Sequence, residues 1–141
     1  MEMTDTRPVP AYMADGARSA QLAVASVLAG ATPGLVNGAD QAMAAANFLA
    51  NVMFTVQIAN GLHPRAAVDF VPDADRGGEL ARGFLTAGTI EICCDYCAGL
   101  MAGSLASAAG RQMTAIHGDQ AGPQWLALAD AMTGPHAQPP P

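Results

Sequence analysis

Residues 41–64 read QAMAAANFLANVMFTVQIANGLHP, and this stretch decides the fold class. It contains no Asp, Glu, Lys or Arg. Phe48, Val52 and Val56 recur at every fourth position, with Leu49 and Met53 beside them. That spacing is the period of a helix and not of a strand. Alanine, the strongest intrinsic helix former, holds six of the 24 positions. Asp40 stands at the start as an N-cap region residue, and Gly61 followed by Pro64 supplies the stop. The stretch therefore predicts a helix over residues 40–60. Its polar positions are amides and a hydroxyl. Asn47, Asn51 and Thr55 fall at i, i+4 and i+8 and share one face. A solvated helix normally carries charges on such a face. Two readings of it stay open: a partly exposed face in a low-charge protein, or a face that hydrogen-bonds another helix or another copy.

Working outward, the same logic predicts a helix over residues 11–29, with Leu22, Val24, Val27 and Leu28 as its larger apolar residues. Ala31-Thr32-Pro33-Gly34 breaks it, and Asn37-Gly38 offers a second turn. Residues 63–82 hold seven of the 18 charged residues, with turn chemistry at Val71-Pro72-Asp73 and Gly77-Gly78, and read as a solvated connector. The short run at residues 67–71 is the one place where a strand competes. A long helix is expected over residues 79–116. Two rows of small residues run along it: Gly99, Gly103 and Ser107, and beside them Ala98, Ala102, Ala106 and Gly110. Small residues at every fourth position let helices approach closely. A last helix over residues 123–132 would point Trp125, Leu126 and Leu128 inward. Residues 1–10 read as a flexible arm and residues 133–141 as a Pro-rich tail. The expected fold is all-α: a single domain over residues 11–132, three to four helices, with the two long ones packed as an antiparallel pair.

Composition narrows the function classes. The chain has 141 residues, of which 51% are hydrophobic and 13% charged, and its net charge is −6. Lysine is absent. Nucleic acid is not an expected partner, because a phosphate backbone needs a basic face. An anionic membrane surface is disfavoured for the same reason. Residues 41–62 and 83–110 are long enough to span a bilayer as a hairpin. Asn47, Asn51, Gln57, Glu91 and Asp95 argue against it, as does the alanine-heavy composition. The N-terminus shows no basic region followed by an apolar run. Three clustered cysteines do not read as a secreted disulfide framework. A reducing cytoplasm is the expected compartment. An alanine-rich core buries little area per residue, so packing against copies of itself would help such a chain.

The chemistry-bearing stretch is IEICCDYCAG, residues 90–99. Cys94-Asp95-Tyr96-Cys97 is a CxxC, a spacing that can form a reactive thiol couple at a helix start. Zinc would want two more ligands, and only Cys93, His63, His117 and His136 are on offer, none at metal spacing. No metal and no cofactor is expected. The segment resembles the AhpD-like (carboxymuconolactone decarboxylase-like) thiol family, which is all-helical and carries a CxxC, a histidine four residues later and an upstream glutamate. Here Met101 stands where that histidine would be, and Glu91 lies only three residues before Cys94. The resemblance implies a thiol oxidoreductase or peroxidase-like protein with Cys94 and Cys97 as its thiols. Without the histidine it has no evident proton relay. The competing reading makes the cysteines small apolar packing residues inside a helix seam. In a continuous helix Glu91 and Asp95 would be i, i+4 neighbours of like charge. Buried, they would form a candidate pH-sensitive pair.

Residues 15–60 resemble the RebB-type proteins of refractile bodies (R-bodies), which are short, low-charge, alanine-rich and helical. The matching residues are Asp15, then Val27-Leu28-Ala29-Gly30-Ala31-Thr32-Pro33, Gln41-Ala42-Met43-Ala44, and Asn51, Thr55, Gln57 and Asn60. The family's consecutive glutamines are reduced here to Gln57, and the cysteine-bearing segment has no counterpart in it. The resemblance implies polymerisation into coiled ribbons in the bacterial cytoplasm, associated with a killing trait, some of which unroll as the pH falls. The expectation is a non-enzymatic, self-assembling structural protein whose partner is itself or a related helical protein. Its contact faces would be Asn47, Asn51, Thr55, Gly99, Gly103 and Ser107. The alternatives are the CxxC thiol protein and the two-helix membrane hairpin.

Overall fold

A computed structural model describes residues 11–31, 39–72, 75–88 and 91–133. The expected arm at residues 1–10, the Asn37-Gly38 turn and the tail beyond residue 133 lie outside them. Among the described residues the fold is all-α, as expected, with five α-helices and no strand: α1 (Ala11–Leu28), α2 (Ala39–Ala59), α3 (Arg76–Ala87), α4 (Asp95–His117) and α5 (Ala121–Thr133). Of the residues 67–71 that could have been a strand, 67–70 belong to a 3-10 segment, Pro64–Phe70, and Val71 caps it.

α2 matches its expected bounds closely. Gly61 adopts a left-handed φ of 71°. Its turn lets the Leu62 N–H reach back to the Gln57 carbonyl at 2.9 Å, which closes the helix end. Pro64 sits in the first turn of the 3-10 segment, and His63 Nδ1 accepts the Arg65 N–H at 3.1 Å to cap it. Asp75 caps α3 by accepting the Gly78 N–H at 3.1 Å.

The long helix expected over residues 79–116 is two helices. Gly88, with φ 79°, caps α3, and the chain stays non-helical through the described residues 91–93. The physical reason lies in the local sequence. A left-handed glycine is followed by Thr89, Ile90 and Ile92, whose β-branched side chains disfavour helix. The helix count is therefore five and not three or four.

The antiparallel pairing is also corrected. The Ala39 N–H donates to Asp95 Oδ1 at 2.9 Å, so both helix starts lie together. Gln112 Nε2 donates to the Met53 carbonyl at 3.0 Å, so both later halves lie together. α2 and α4 thus run parallel. α1 points the same way: Gly16 meets Ala44 and Val27 meets Gly110. The chain can make two parallel helices because α3 carries it back. Gly77 at its start packs on Leu100 and Ser104, and its end delivers the chain to the start of α4.

The core is built mainly from alanines at close helix contacts, with Leu49, Met53, Met101, Leu105, Met113 and Trp125 as its large residues. Trp125 faces inward as expected. Its Nε1 donates to the Gln21 carbonyl at 3.1 Å, and its ring meets Phe48 edge to face. Leu126 does not face inward; it is 64% exposed. α2 is long and apolar enough to cross a membrane, and half of that window is buried inside the bundle.

Of the two small-residue rows, the one that packs is Ala98, Ala102, Ala106 and Gly110. Its three alanines are at most 2% exposed. In the other row Gly99 is buried while Gly103 and Ser107 are half-buried. A Cβ added at Gly103 would meet nothing within 4 Å. The close approaches lie elsewhere: at Gly16 against α2, at Gly77 against α4 and at Gly110 against α1.

Candidate thiol site

The break after Gly88 changes what IEICCDYCAG is. The segment is a connector that enters α4, with Cys94 at the N-cap in extended backbone (φ −168°, ψ 168°). Cys97 lies in the first turn of that helix. Cys93 and Cys94 are exposed and Cys97 is half-buried. Cys93 and Cys94 are therefore not packing residues in a seam, while Cys97 does pack against the core.

All three sulfurs converge. Cys93 Sγ lies 3.2 Å from Cys97 Sγ and 3.6 Å from Cys94 Sγ. The three sulfurs lie within 4.8 Å of one another. All three thiols are free. Cys93 is the member that the sequence reading did not assign to a site. The available signal was the doubled cysteine directly before a CxxC, next to a helix-breaking run.

The electrostatics differ from one sulfur to the next. Cys94 makes no capping hydrogen bond of ordinary geometry. Even so, the Cys97 backbone N–H at the positive end of α4 is the leading cause that holds the Cys94 thiol below the ordinary thiol value. The Cys93 and Cys97 side chains add to it. Cys93 is displaced the other way. Its thiol donates first to Cys97 and then to Cys94, and keeping that proton raises it. Arg76, at the start of α3, forms an ion pair with Glu79 at 2.9 Å. The Cys97 side chain also acts on its guanidinium. Glu79 first and Cys97 second raise the arginine's already high pKa. The site therefore holds three sulfurs, a helix N-terminus and one cation. Tyr96, between the CxxC cysteines, is 67% exposed.

Glu91 and Asp95 do not form the helical pair that the sequence suggested, because Glu91 lies in the connector. Both are exposed. Asp95 instead caps α2 across the bundle through Ala39. That role had no sequence signal, since it depends on two helix starts 56 residues apart meeting in space.

Asn47, Asn51 and Thr55 are all exposed on α2. Gln57, which the R-body resemblance groups with them, is buried. Its Nε2 donates to the His63 carbonyl at 3.1 Å, and its Oε1 accepts from Gln112 Nε2 at 3.1 Å. Gln112 Oε1 is a buried oxygen without a hydrogen-bond partner.

Compared with known proteins, the chain matches no family model, no curated protein and no solved structure.

Proposed function

We propose that this is a small helical thiol protein that exchanges disulfides at the Cys93–Cys94–Cys97 cluster. The carrying observation is the convergence of three free sulfurs within 4.8 Å at an exposed helix start. Cys94 is the attacking group, because its environment favours the thiolate, and the thiolate is the nucleophile. It attacks one sulfur of a substrate disulfide, forms a mixed disulfide and expels the first substrate thiolate. Cys97 then attacks Cys94 Sγ and expels the second. Two electrons pass from the cysteine pair to the substrate, and the two cysteine protons end on the released thiols. Cys97 serves as resolving thiol because the vicinal Cys93–Cys94 pair would close a strained ring. Return to the reduced state requires an external dithiol.

The test uses glutathione disulfide as substrate. Cys97→Ser should accumulate one glutathione adduct at Cys94, read by intact mass, while the unmodified chain passes on to an internal disulfide. A Cys94→Ser chain that reacts as fast as the wild type would overturn the assignment.

Self-assembly remains the second reading. It is favoured by the exposed amide row Asn47, Asn51 and Thr55 on a helix that carries no charge after Asp40, and by the open space over Gly103. In that reading the chain is a structural protein of R-body type and its partner is another copy. Sedimentation velocity of the reduced protein without detergent, at neutral and at mildly acid pH, tests it. Large or pH-dependent species are the expected result. A single small species unchanged by pH would sink it.

A further inference from the structure

We propose that the Cys93–Cys94–Cys97 cluster binds one soft, thiophilic cation of low coordination number, with Cu(I) as the probe that defines the class. Cys93, which neither attacks nor resolves in the proposed exchange, is its third ligand. The proposal rests on the reading of this cluster as a reactive thiol site and extends it to a second kind of ligand.

The sulfur geometry carries the argument. A metal–thiolate bond of about 2.3 Å sets the three sulfurs of a trigonal site about 4.0 Å apart. Here two edges of the sulfur triangle are 3.2 and 3.6 Å, and the third is within 4.8 Å. The thiols need only small side-chain rotations to reach trigonal spacing, and Cys93 and Cys94 are exposed enough to make them. The donor set selects the ion. It is all sulfur, and among the described residues no His, Asp or Glu joins it. A structural zinc site closes with four ligands. Thiolate-only sites favour soft ions such as Cu(I), a filled-shell ion content with two or three sulfurs.

Charge is accommodated as well. Cu(I) displaces three thiol protons to solvent with no electron transfer, which leaves a complex of net charge −2. Arg76 beside Cys97 and the N-terminus of α4 both face that charge with positive potential. Cys93 lies directly before the N-cap, so the connector that replaced the expected helix is what brings in the third sulfur.

The experiment is an anaerobic competition titration of the reduced full chain with Cu(I) against a chromophoric Cu(I) chelator. The expected result is one Cu(I) per chain. Cys93→Ser should weaken binding by about tenfold or more, for the loss of one of three metal–thiolate bonds, while it still forms the Cys94–Cys97 disulfide with glutathione disulfide, at a rate changed by the loss of the Cys93 hydrogen bond to Cys94. Equal Cu(I) affinity in Cys93→Ser would overturn the third-ligand assignment. A stoichiometry of one Cu(I) per two chains, or Zn(II) displacing Cu(I) from the wild type, would overturn the trigonal soft-ion site. Failure of the wild type to compete at all would overturn it too, and normal glutathione trapping in that same sample would leave the disulfide-exchange reading standing. Cys93 is exposed, and far-UV circular dichroism confirms that the serine chain is folded before titration.

Discussion

Two glycine-to-alanine substitutions test the packing with opposite expected signs. At a helix interior, alanine in place of glycine gains about 1 kcal/mol of propensity. At Gly103 nothing opposes that gain, because the added Cβ meets no atom within 4 Å. Gly103→Ala should raise the stability of the isolated chain by close to the full amount. For a chain of this size that is a rise in Tm of about 3–4 °C. At Gly16 the same Cβ would lie 2.6 Å from Ala44 Cβ, 2.7 Å from the Gln41 carbonyl oxygen and 2.9 Å from the Ala45 nitrogen. Two of those atoms are backbone and cannot rotate away, so α1 must move off α2 by several tenths of an ångström. Overpacking of that kind costs about 1–3 kcal/mol, and where the backbone is the obstacle the upper end applies. The propensity gain offsets only part of it. Gly16→Ala should therefore lower Tm by about 4–8 °C. Thermal unfolding by circular dichroism of the two variants and the wild type, under reducing conditions and at low concentration, reads both. Equal destabilisation by the two substitutions would refute the assignment of the close helix contact to Gly16 and of open space to Gly103. A penalty at Gly103 that appears only as concentration rises would instead place a second copy over that face.

The remaining predictions concern the helix starts and the core. The rate at which metal-free protein is alkylated at Cys94 should rise with pH along a curve whose midpoint lies below the ordinary thiol value. Its environment lowers the pKa, so the thiolate is already present at pH values where an ordinary thiol is protonated. Cys93 should titrate later, on the high side of that value, and peptide-resolved labelling that finds the reverse order would refute the assignment. Asp95→Ala should cost about 1 kcal/mol, the usual worth of a helix cap, by releasing the Ala39 N–H. Asp95→Asn should retain most of the stability, and chemical denaturation of both variants distinguishes a cap from a charge effect. Gln112→Ala removes the link between α4 and α2 and leaves the Met53 carbonyl and Gln57 Oε1 buried with one donor fewer. A loss of about 2–4 kcal/mol in urea unfolding is expected from the vacated volume and the stranded acceptors together; a neutral result would mean that water replaces the amide.

The all-α class was legible because it depends on local information. The four-residue recurrence of Phe48, Val52 and Val56, the alanine background and the Gly61 stop each act within a turn or two. The boundary at residues 88–94 was equally local, yet it was missed. The small-residue rows that follow it run on a helical period, and that period outweighed the β-branched run Thr89, Ile90 and Ile92. Parallel packing of α2 and α4 could not be read, because a charged connector says that the chain can turn and not how often. One reversal gives an antiparallel pair. The second reversal, made by α3, restores the original direction. Leu126 shows the same limit at smaller scale: on a short amphipathic helix, apolar character does not say which of two adjacent large residues reaches the core.

These errors are connected, and the connection bears on function. Had the helix continued from residue 79 to 116, Cys93, Cys94 and Cys97 would lie along a helix flank, with the i, i+1 pair pointing apart. Their sulfurs would be small hydrophobes and Glu91 would stack on Asp95. The break at Gly88 places Cys94 at a helix start. There the backbone N–H groups stabilise a thiolate, and the extended backbone of the cap residue Cys94 goes with a Cys93 sulfur 3.2 Å from Cys97. The same break frees Asp95 to cap α2, which ties the two parallel helix starts together beside the sulfurs. A single left-handed glycine followed by branched residues thus converts a packing segment into a cluster of three thiols. Extending the helix tests this directly. Gly88→Ala combined with Ile90→Ala and Ile92→Ala removes the left-handed stop and two of the branched residues, and should raise helical content across residues 88–94. If that variant gains helix and keeps full Cys94 reactivity, the helix start is not what activates the thiol.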